Sequence, residues 1–269
     1  MRALTSFAPD QAANIRFLLT DIDDTLTTEG RLTADAYAAL ERLWSAGITV
    51  IPITGRPAGW CDHIARMWPV FAVVGENGAF YMRYDHAKRR MLTHHFASDA
   101  ERRTNRARLN ALSAKILSAV PGCALASDQN YREADLAIDF CEDVPPLPEV
   151  AVKKIVSLFE AEGAQAKVSS IHVNGWFGQY DKLSMTRTLF AREFSSRLEE
   201  LLSACAFAGD SPNDEPMFHF FDYSVGVANI QTQLHRLTHR PKFVTPSKGG
   251  AGFVELANCI LEAKKIHNP

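Results

Sequence analysis

The N-terminal third of the chain alternates short apolar runs with segments of helical periodicity. The apolar runs at 17–19, 48–53 and 71–74 have the length and composition of buried parallel strands. Between the first two runs, Thr33 is a candidate helix N-cap, and apolar residues recur at helical spacing up to Gly47. The last third repeats the pattern, with helices expected over 183–193 and 252–263 and strands over 204–208 and 223–227. Strands alternating with helices predict a parallel sheet wound with helices.

The middle of the chain has a different pattern. A charged stretch over 85–108 leads into an expected helix that ends before Pro121. Residues 134–141 and residues 167–174 alternate between apolar and polar side chains, which predicts two strands with one polar face each. A further helix is expected after the prolines at 145–148. Strands of this kind are typical of a sheet that helices cover on one side only.

These patterns predict an α/β protein in which a Rossmann-like, doubly wound parallel sheet is interrupted by an α+β cap domain. We place the core at residues 1–83 and 181–269 and the cap at residues 84–180. A chain of 269 residues is long enough for one large domain or two modest ones.

Composition narrows the class of protein only slightly. With 46% hydrophobic residues the chain is expected to be globular, and a formal net charge of −2 gives no overall field for nucleic acid or an anionic membrane. The basic residues between 88 and 108 are interrupted by acids and lack interleaved aromatics, so a solvated helix face explains them better. Neither a signal peptide nor a transmembrane segment is apparent. Five scattered cysteines favour reduced thiols, and we expect a cytoplasmic location with no nucleic-acid or membrane partner.

Polar turns follow three of the predicted core strands, at residues 21–25, 54–56 and 209–214. Ligands of doubly wound sheets bind at the carboxyl ends of the strands. If these strands are neighbours, one cleft gathers the carboxylates of Asp21, Asp23, Asp210 and Asp214. Carboxylates that lie so close together require a cation, and a ligand set made only of oxygen atoms favours Mg²⁺. The pattern therefore points to phosphoryl chemistry.

The sequences D-I-D-D-T, T-G-R, Lys182 and G-D-S-P-N-D resemble, in this order, the four motifs of the haloacid dehalogenase-like phosphohydrolases. G-E-N-G-A at 75–79, with an insertion between the second and third motifs, resembles the class with a large α/β cap, subfamily IIB. Sucrose, mannosyl-phosphoglycerate and trehalose-phosphate phosphatases belong to that class, as do phosphomannomutases. One departure is Asp24, where many relatives carry Gly.

The resemblance implies catalytic roles that also make physical sense. Asp21 is expected to attack phosphorus and form an aspartyl-phosphate. Asp23 is expected to protonate the leaving oxygen and then to activate water. Thr54 and the N–H of Gly55 are expected to bind phosphate oxygens, and Lys182 to add positive charge beside them.

For the metal, the resemblance implies Mg²⁺ bound by the carboxylates of Asp21 and Asp210. The backbone carbonyl of Asp23 can face the ion, with Asp214 or Asn213 steadying its surroundings. For Asp214, capping of the following helix is an equally weighted alternative. Arg56 is expected either to bind substrate or to pair with a carboxylate of the loop.

In the resembled class, the open face of the cap sheet binds the leaving group and determines which substrate is accepted. Strand alternation and position nominate six polar residues for this face: Arg132, Glu133, Asp139, Ser170, His172 and Asn174. Such side chains suit a phosphorylated sugar or similar polyol, because hydroxyl groups need paired donors and acceptors. Trp176 or Tyr180 is a candidate for stacking on a sugar ring, with core packing as the alternative.

The leading hypothesis is a Mg²⁺-dependent phosphatase acting on a small phosphate monoester. A phosphomutase uses the same aspartyl-phosphate and stays open as an alternative. A non-catalytic sugar-phosphate-binding protein would not need the complete set of Asp21, Asp23, Lys182 and Asp210. A two-metal nuclease would leave T-G-R and Lys182 unexplained.

Overall fold

The computed structural model describes residues 1–169 and 171–267. Over these ranges the largest sheet has six strands, and every neighbouring pair of them is parallel. In spatial order they are β1 (Arg2–Ala3), β13 (Phe243–Val244), β12 (Tyr223–Gly226), β11 (Cys205–Gly209), β2 (Phe17–Thr20) and β3 (Thr49–Pro52).

Helices cover both faces of this sheet, as a doubly wound fold requires. One face packs against α1 (Pro9–Ala13), α2 (Ala34–Ser45), α3 (Ala58–Met67) and α8 (Gly249–His267), and the other against α6 (Lys182–Glu193) and α7 (Glu215–Phe220). Along β2, Leu18 faces the first group and Leu19 the second, because successive side chains of a strand point to opposite faces. The predicted α/β class with a parallel core is confirmed.

A second sheet is antiparallel and lies between the second and third motifs. Its spatial order is β7 (Ala124–Leu125), β8 (Leu136–Asp139), β10 (His172–Trp176) and β9 (Gln165–Val168). Two helices, α4 (Asp99–Ala119) and α5 (Glu149–Ala161), pack on one face of it through Leu109, Ile116, Ile155 and Phe159. The predicted sheet with helices on one side is therefore present. We call this sheet and its two helices the cap.

The prediction of one strand over residues 167–174 is wrong. β9 ends at Val168 and β10 begins at His172, and the two strands pair antiparallel with Val173 opposite Val168. Ser169 closes the turn, since its Oγ accepts hydrogen bonds from the backbone N–H of His172 at 2.9 Å and of Ile171 at 3.3 Å. Apolar and polar residues alternate on both sides of the turn, so the run resembles a single strand although the chain reverses direction within it.

The run at 71–74 was expected to form a strand of the parallel sheet, but its strand belongs to a third, antiparallel sheet that was not predicted. β4 (Val73–Gly75), β5 (Phe80–Asp85) and β6 (Arg90–His95) form a three-stranded antiparallel sheet, and α4 begins only at Asp99. A parallel bridge between Ile53 and Val74 joins it to the edge of the central sheet. β5 crosses the predicted domain boundary at residue 84, and the bounds of the core and cap stay predictions. No helix of the described residues has the length and apolarity needed to cross a membrane.

Candidate active site

The central strands β11, β2 and β3 are adjacent and parallel, so their carboxyl ends lie at one edge of the sheet. Asp21 follows β2, Thr54 follows β3, and Asp210 follows β11. The site predicted from the sequence required these three strands to be neighbours, and they are. A backbone hydrogen bond of 2.9 Å from the N–H of Asp21 to the carbonyl of Ala208 extends the sheet pairing to this edge.

A compact acidic cluster occupies the edge. Asp21, Asp210 and Asp214 are buried, and each offers a carboxylate oxygen within 4.8 Å of the others. Lys182, which is 2% exposed, donates from Nζ to Asp21 Oδ1 at 2.6 Å and to Asp214 Oδ1 at 2.7 Å. Lys182 is the first residue of α6, where the N-cap Asp181 fixes the start of the helix.

The three carboxylates of the cluster, when ionised, carry more negative charge than the ammonium of Lys182 can neutralise. Burial raises the pKa of Asp21 to about 8, even though the adjacent ammonium of Lys182 acts in the opposite direction. The pKa of Asp210 is also raised well above its usual value, by burial and by the neighbouring carboxylates. A hard divalent cation bound by carboxylate oxygens would restore the ionised forms, so the donor set fits Mg²⁺.

Asp210 is oriented by two side chains. Thr25 donates its hydroxyl to Oδ1 at 3.4 Å, and Asn229 donates Nδ2 to Oδ2 at 2.7 Å. Asn229 is itself fixed, because its Oδ1 accepts the N–H of Gly249 at 3.0 Å. Sequence reasoning missed Asn229, although it follows β12 just as the other site residues follow their strands.

Asp214 is the N-cap residue of α7, but its side chain makes no capping hydrogen bond to that helix, so the alternative of helix capping is not observed. Its Oδ2 accepts the N–H groups of Asp210 at 3.1 Å and of Ser211 at 3.3 Å, which closes the turn, while its other oxygen pairs with Lys182. Asn213 lies at the rim, where its Oδ1 accepts the hydroxyl of Ser211 at 2.6 Å.

Asp23 does not point its carboxylate into the acidic cluster. Arg56 binds it instead, with Nε 2.9 Å and Nη2 2.8 Å from Oδ1. Of the two roles expected for Arg56, the structure shows the pairing with a loop carboxylate. The next residue, Asp24, has a φ of +54°, a left-handed conformation that glycine adopts without strain. This explains why glycine suits the position in the resembled family.

The loop after β3 combines a buried hydroxyl with close packing. Thr54 Oγ1 accepts the N–H of Arg56 at 3.0 Å, which leaves its own proton available to a ligand. Gly55 lines the cleft, and a Cβ there would lie 3.2 Å from the side chain of Asn77, tighter than ordinary contact. Glycine therefore allows the loop to pack closely at this point.

Core and cap enclose a narrow cleft of about 30 Å³, enough for roughly one water molecule. The core contributes Asp21, Asp23, Gly55, Arg56, Asp210, Ser211 and Asn213, and the cap side contributes Arg132, Ser169, Ile171, His172 and Asn174. Burial lowers the pKa of His172 to about 4, so its ring is neutral near pH 7. Three of the nominated cap residues, Arg132, His172 and Asn174, thus line the cleft.

Two other nominated cap residues lie elsewhere. Glu133 pairs with His95 at 2.7 Å and with Arg102 at 3.2 Å, away from the cleft lining. Asp139 is buried, and its carboxylate accepts the N–H groups of Cys141, Glu142 and Asp143 at 2.8–2.9 Å. It therefore caps its own loop, and neither residue is retained in the substrate-reading face. Ser170 lies outside the described residues.

Arg132 precedes β8 rather than belonging to it, so strand alternation does not apply to its side chain. Its guanidinium binds Asp128 at 2.9–3.0 Å and Asp135 at 3.0–3.1 Å, and its Nη1 also donates to the carbonyl of Gly55 at 3.0 Å. Asn174 donates to Asp135 Oδ2 at 3.0 Å. The cap residues of the cleft are thereby tied to one another and to the loop after β3.

Glu76 forms a second connection between core and cap, which was not expected from the sequence pattern. Its fully buried carboxylate accepts the N–H of Ala58, at the start of α3, at 3.0 Å. It also accepts the N–H groups of Glu133, Ala134 and Asp135 at 2.6–3.0 Å. Glu76 belongs to G-E-N-G-A, which the resemblance had singled out as a motif only.

Fold and site together define an α/β protein with an acidic, oxygen-rich site at the end of a parallel sheet, beneath an inserted cap. A model of the haloacid dehalogenase-like hydrolase family matches residues 18–107. This match covers about a third of the chain and is to the family that the four motifs resemble.

Solved structures of similar fold cover nearly the whole chain. A Thermoplasma acidophilum protein is 21% identical with a TM-score of 0.69, covering 93% of this chain and 99% of its own. A haloacid dehalogenase-like hydrolase from Bacteroides thetaiotaomicron is 15% identical with a TM-score of 0.64, covering 91% and 99%. A trehalose-6-phosphate phosphatase related protein is 13% identical with a TM-score of 0.60, covering 93% and 98%. The comparison with curated proteins gave no match.

Proposed function

We propose that this protein is a haloacid dehalogenase-like hydrolase, and that it is a Mg²⁺-dependent phosphatase acting on a phosphorylated sugar or similar polyol. The observation that carries the proposal is the placement of Asp21 and Lys182, 2.6 Å apart within a buried cluster of carboxylates. Asp21, Asp210 and the carbonyl of Asp23 would hold the metal, with Asp214 and Asn213 beside them. Bound there, Mg²⁺ would neutralise charge on the phosphate oxygens.

The chain's own residues would perform two displacements. In the first, a carboxylate oxygen of Asp21 attacks phosphorus as the bond from phosphorus to the leaving oxygen breaks, and Asp23 gives that oxygen a proton. In the second, Asp23 takes a proton from water, which attacks the aspartyl-phosphate and releases phosphate with regeneration of Asp21. Thr54, Gly55 and Lys182 would hold the phosphoryl oxygens throughout.

The proposed substrate class is supported by the residues on the cleft side of the cap. His172, neutral near pH 7, and Asn174 offer donors and acceptors suited to hydroxyl groups. One neighbour in fold is described as related to a trehalose-6-phosphate phosphatase, which is compatible with a sugar phosphate. The protein would act in the cytoplasm, where such metabolites are found.

Phosphate release, measured across sugar, glycerate and nucleotide monophosphates with and without Mg²⁺, tests the proposal. Asp21→Asn should abolish turnover while the far-ultraviolet circular dichroism spectrum stays unchanged. Asp62→Asn, an exposed acid on α3, is the matched control and should keep wild-type activity. Turnover by Asp21→Asn would reject the mechanism, and turnover that needs a bisphosphate activator would indicate a phosphomutase.

The cap assignment has a separate test. His172→Ala and Asn174→Ala should each change KM or kcat for the best substrate. If both variants behave like wild type, the cleft-facing side of the cap does not read the leaving group.

A further inference from the structure

A second cavity borders Lys182 and Asn213, and we call it the side pocket. Its volume is about 310 Å³, at the lower end of the ~300–1,000 Å³ typical of small-molecule sites. Strands β9 and β10 of the cap contribute to its wall on one side, and α6 of the core on the other. It is about ten times larger than the cleft, which holds roughly one water molecule.

The lining of the side pocket is predominantly polar. Four of its side chains are amides, those of Asn77, Gln165, Gln179 and Asn213, and each has both donor and acceptor atoms. Lys167 also lines it and has no ion-pair partner in the described part of the chain. The amides can hydrogen-bond hydroxyl groups, and the ammonium of Lys167 can pair with a negative charge. The lining therefore suits a ligand that has hydroxyl groups and one negative charge.

An aromatic wall completes this lining. Trp176 is 2% exposed, and its ring stacks on that of Tyr180 with centroids 5.6 Å apart. The two stacked rings therefore give the pocket an aromatic wall, against which the CH face of a polyol can pack.

The side pocket also touches the reaction centre. The N–H of Asn77 donates to the carbonyl of Thr54 at 3.0 Å, and its side chain packs against Gly55. Lys182 pairs with Asp21. Residues that line the pocket are thus in direct contact with the phosphate loop and the nucleophile.

We propose that the side pocket binds a small anionic polyol as a second ligand, separate from the phosphate ester in the cleft. The amides hydrogen-bond its hydroxyl groups, Lys167 pairs with its negative charge, and the rings of Trp176 and Tyr180 pack against its carbon chain. The assignment rests on the chemistry of the lining and does not require the proposed phosphatase reaction.

Gluconate is a suitable probe, because it is a carboxylated polyol without a phosphate ester. Isothermal titration calorimetry of the full chain with Mg²⁺ should show saturable binding of one gluconate per chain. Lys167→Met should weaken binding roughly tenfold, the loss of one charge-assisted contact. Sorbitol, which lacks the carboxylate, should bind wild type about tenfold more weakly than gluconate for the same reason.

Controls separate the side pocket from the cleft and from the surface. Lys153→Met, on the exposed side of α5, should bind gluconate like wild type. Saturating vanadate, a phosphate mimic for the cleft, should leave gluconate binding intact.

Three results would overturn the proposal: no saturable binding to wild type, unchanged affinity in Lys167→Met, or displacement of gluconate by vanadate. None of these measurements depends on turnover. A protein that fails as a phosphatase can therefore still bind gluconate, and a working phosphatase can fail to bind it.

Discussion

The guanidinium of Arg56 binds the carboxylate of Asp23 through three contacts of 2.8–3.1 Å. Its remaining nitrogen, Nη1, lies 3.9 Å from both Asp128 and Glu142 of the cap. The ring of Trp60 packs under the guanidinium, 4.5 Å away. Arg56 therefore sets the direction of the proposed acid–base residue at the point where core and cap meet.

Removal of Arg56 should slow turnover without unfolding the protein. General acid–base catalysis contributes roughly 10²–10⁴-fold, so a misdirected Asp23 in Arg56→Ala should lower kcat by about 10- to 100-fold. Arg56→Lys should recover only part of this loss, because an ammonium cannot reproduce the bidentate contact. Steady-state kinetics with the best substrate provide the measurement. An unchanged kcat in Arg56→Ala would mean that Asp23 does not depend on this ion pair.

The raised pKa of Asp21 predicts an unusual dependence of stability on pH. In the folded, metal-free protein this pKa is about 8, against an ordinary value of 3.8, so the folded state holds the proton more tightly than the unfolded state. The contribution of Asp21 to stability is therefore present below pH 3.8 and is lost as pH rises toward about 8. Denaturant unfolding in chelator, compared between wild type and Asp21→Asn, isolates this contribution. The wild type should lose more stability than the variant between pH 5 and pH 8, and parallel curves would contradict the assignment.

Metal binding should have the opposite pH dependence. Since Mg²⁺ requires ionised carboxylates, its binding should release protons wherever Asp21 and Asp210 are still protonated. The apparent affinity for Mg²⁺ should therefore rise with pH up to about 8. Calorimetric titration in two buffers of different ionisation enthalpy counts the released protons. The control is Asp62→Asn, which should release as many protons on Mg²⁺ binding as wild type, because this carboxylate lies on the surface.

The sequence was sufficient for features that depend on local pattern. Apolar runs located β2, β3 and β11, and the polar residues behind them located Asp21, Thr54 and Asp210. The hairpin of β5 and β6 was missed because β6 is partly exposed and has no apolar alternation, so its pairing with β5 is not visible along the chain.

Side-chain partners were harder to predict than positions. The alternation of side chains along the strand predicts that Asp139 faces the cleft. Its carboxylate instead binds the backbone of its own loop, an interaction that the alternation does not reveal. Arg56 and Asp23 are 33 residues apart, and Glu76 reaches Asp135 across 59 residues. The first contact arises because β2 and β3 are adjacent, and the second arises from the packing of cap on core. No single segment encodes either contact.

Glu76 should be one of the most sensitive positions in the protein. Four backbone N–H groups lose their acceptor in Glu76→Ala, and an unsatisfied buried donor costs about 1–3 kcal/mol, so we expect a loss of at least about 3 kcal/mol after partial hydration. Glu76→Gln should also destabilise the protein, since its NH₂ group would face N–H donors. Urea unfolding of these variants, with Glu160→Ala on the exposed side of α5 as control, gives the free-energy differences. A loss no greater than that of Glu160→Ala would show that the carboxylate does not hold core and cap together.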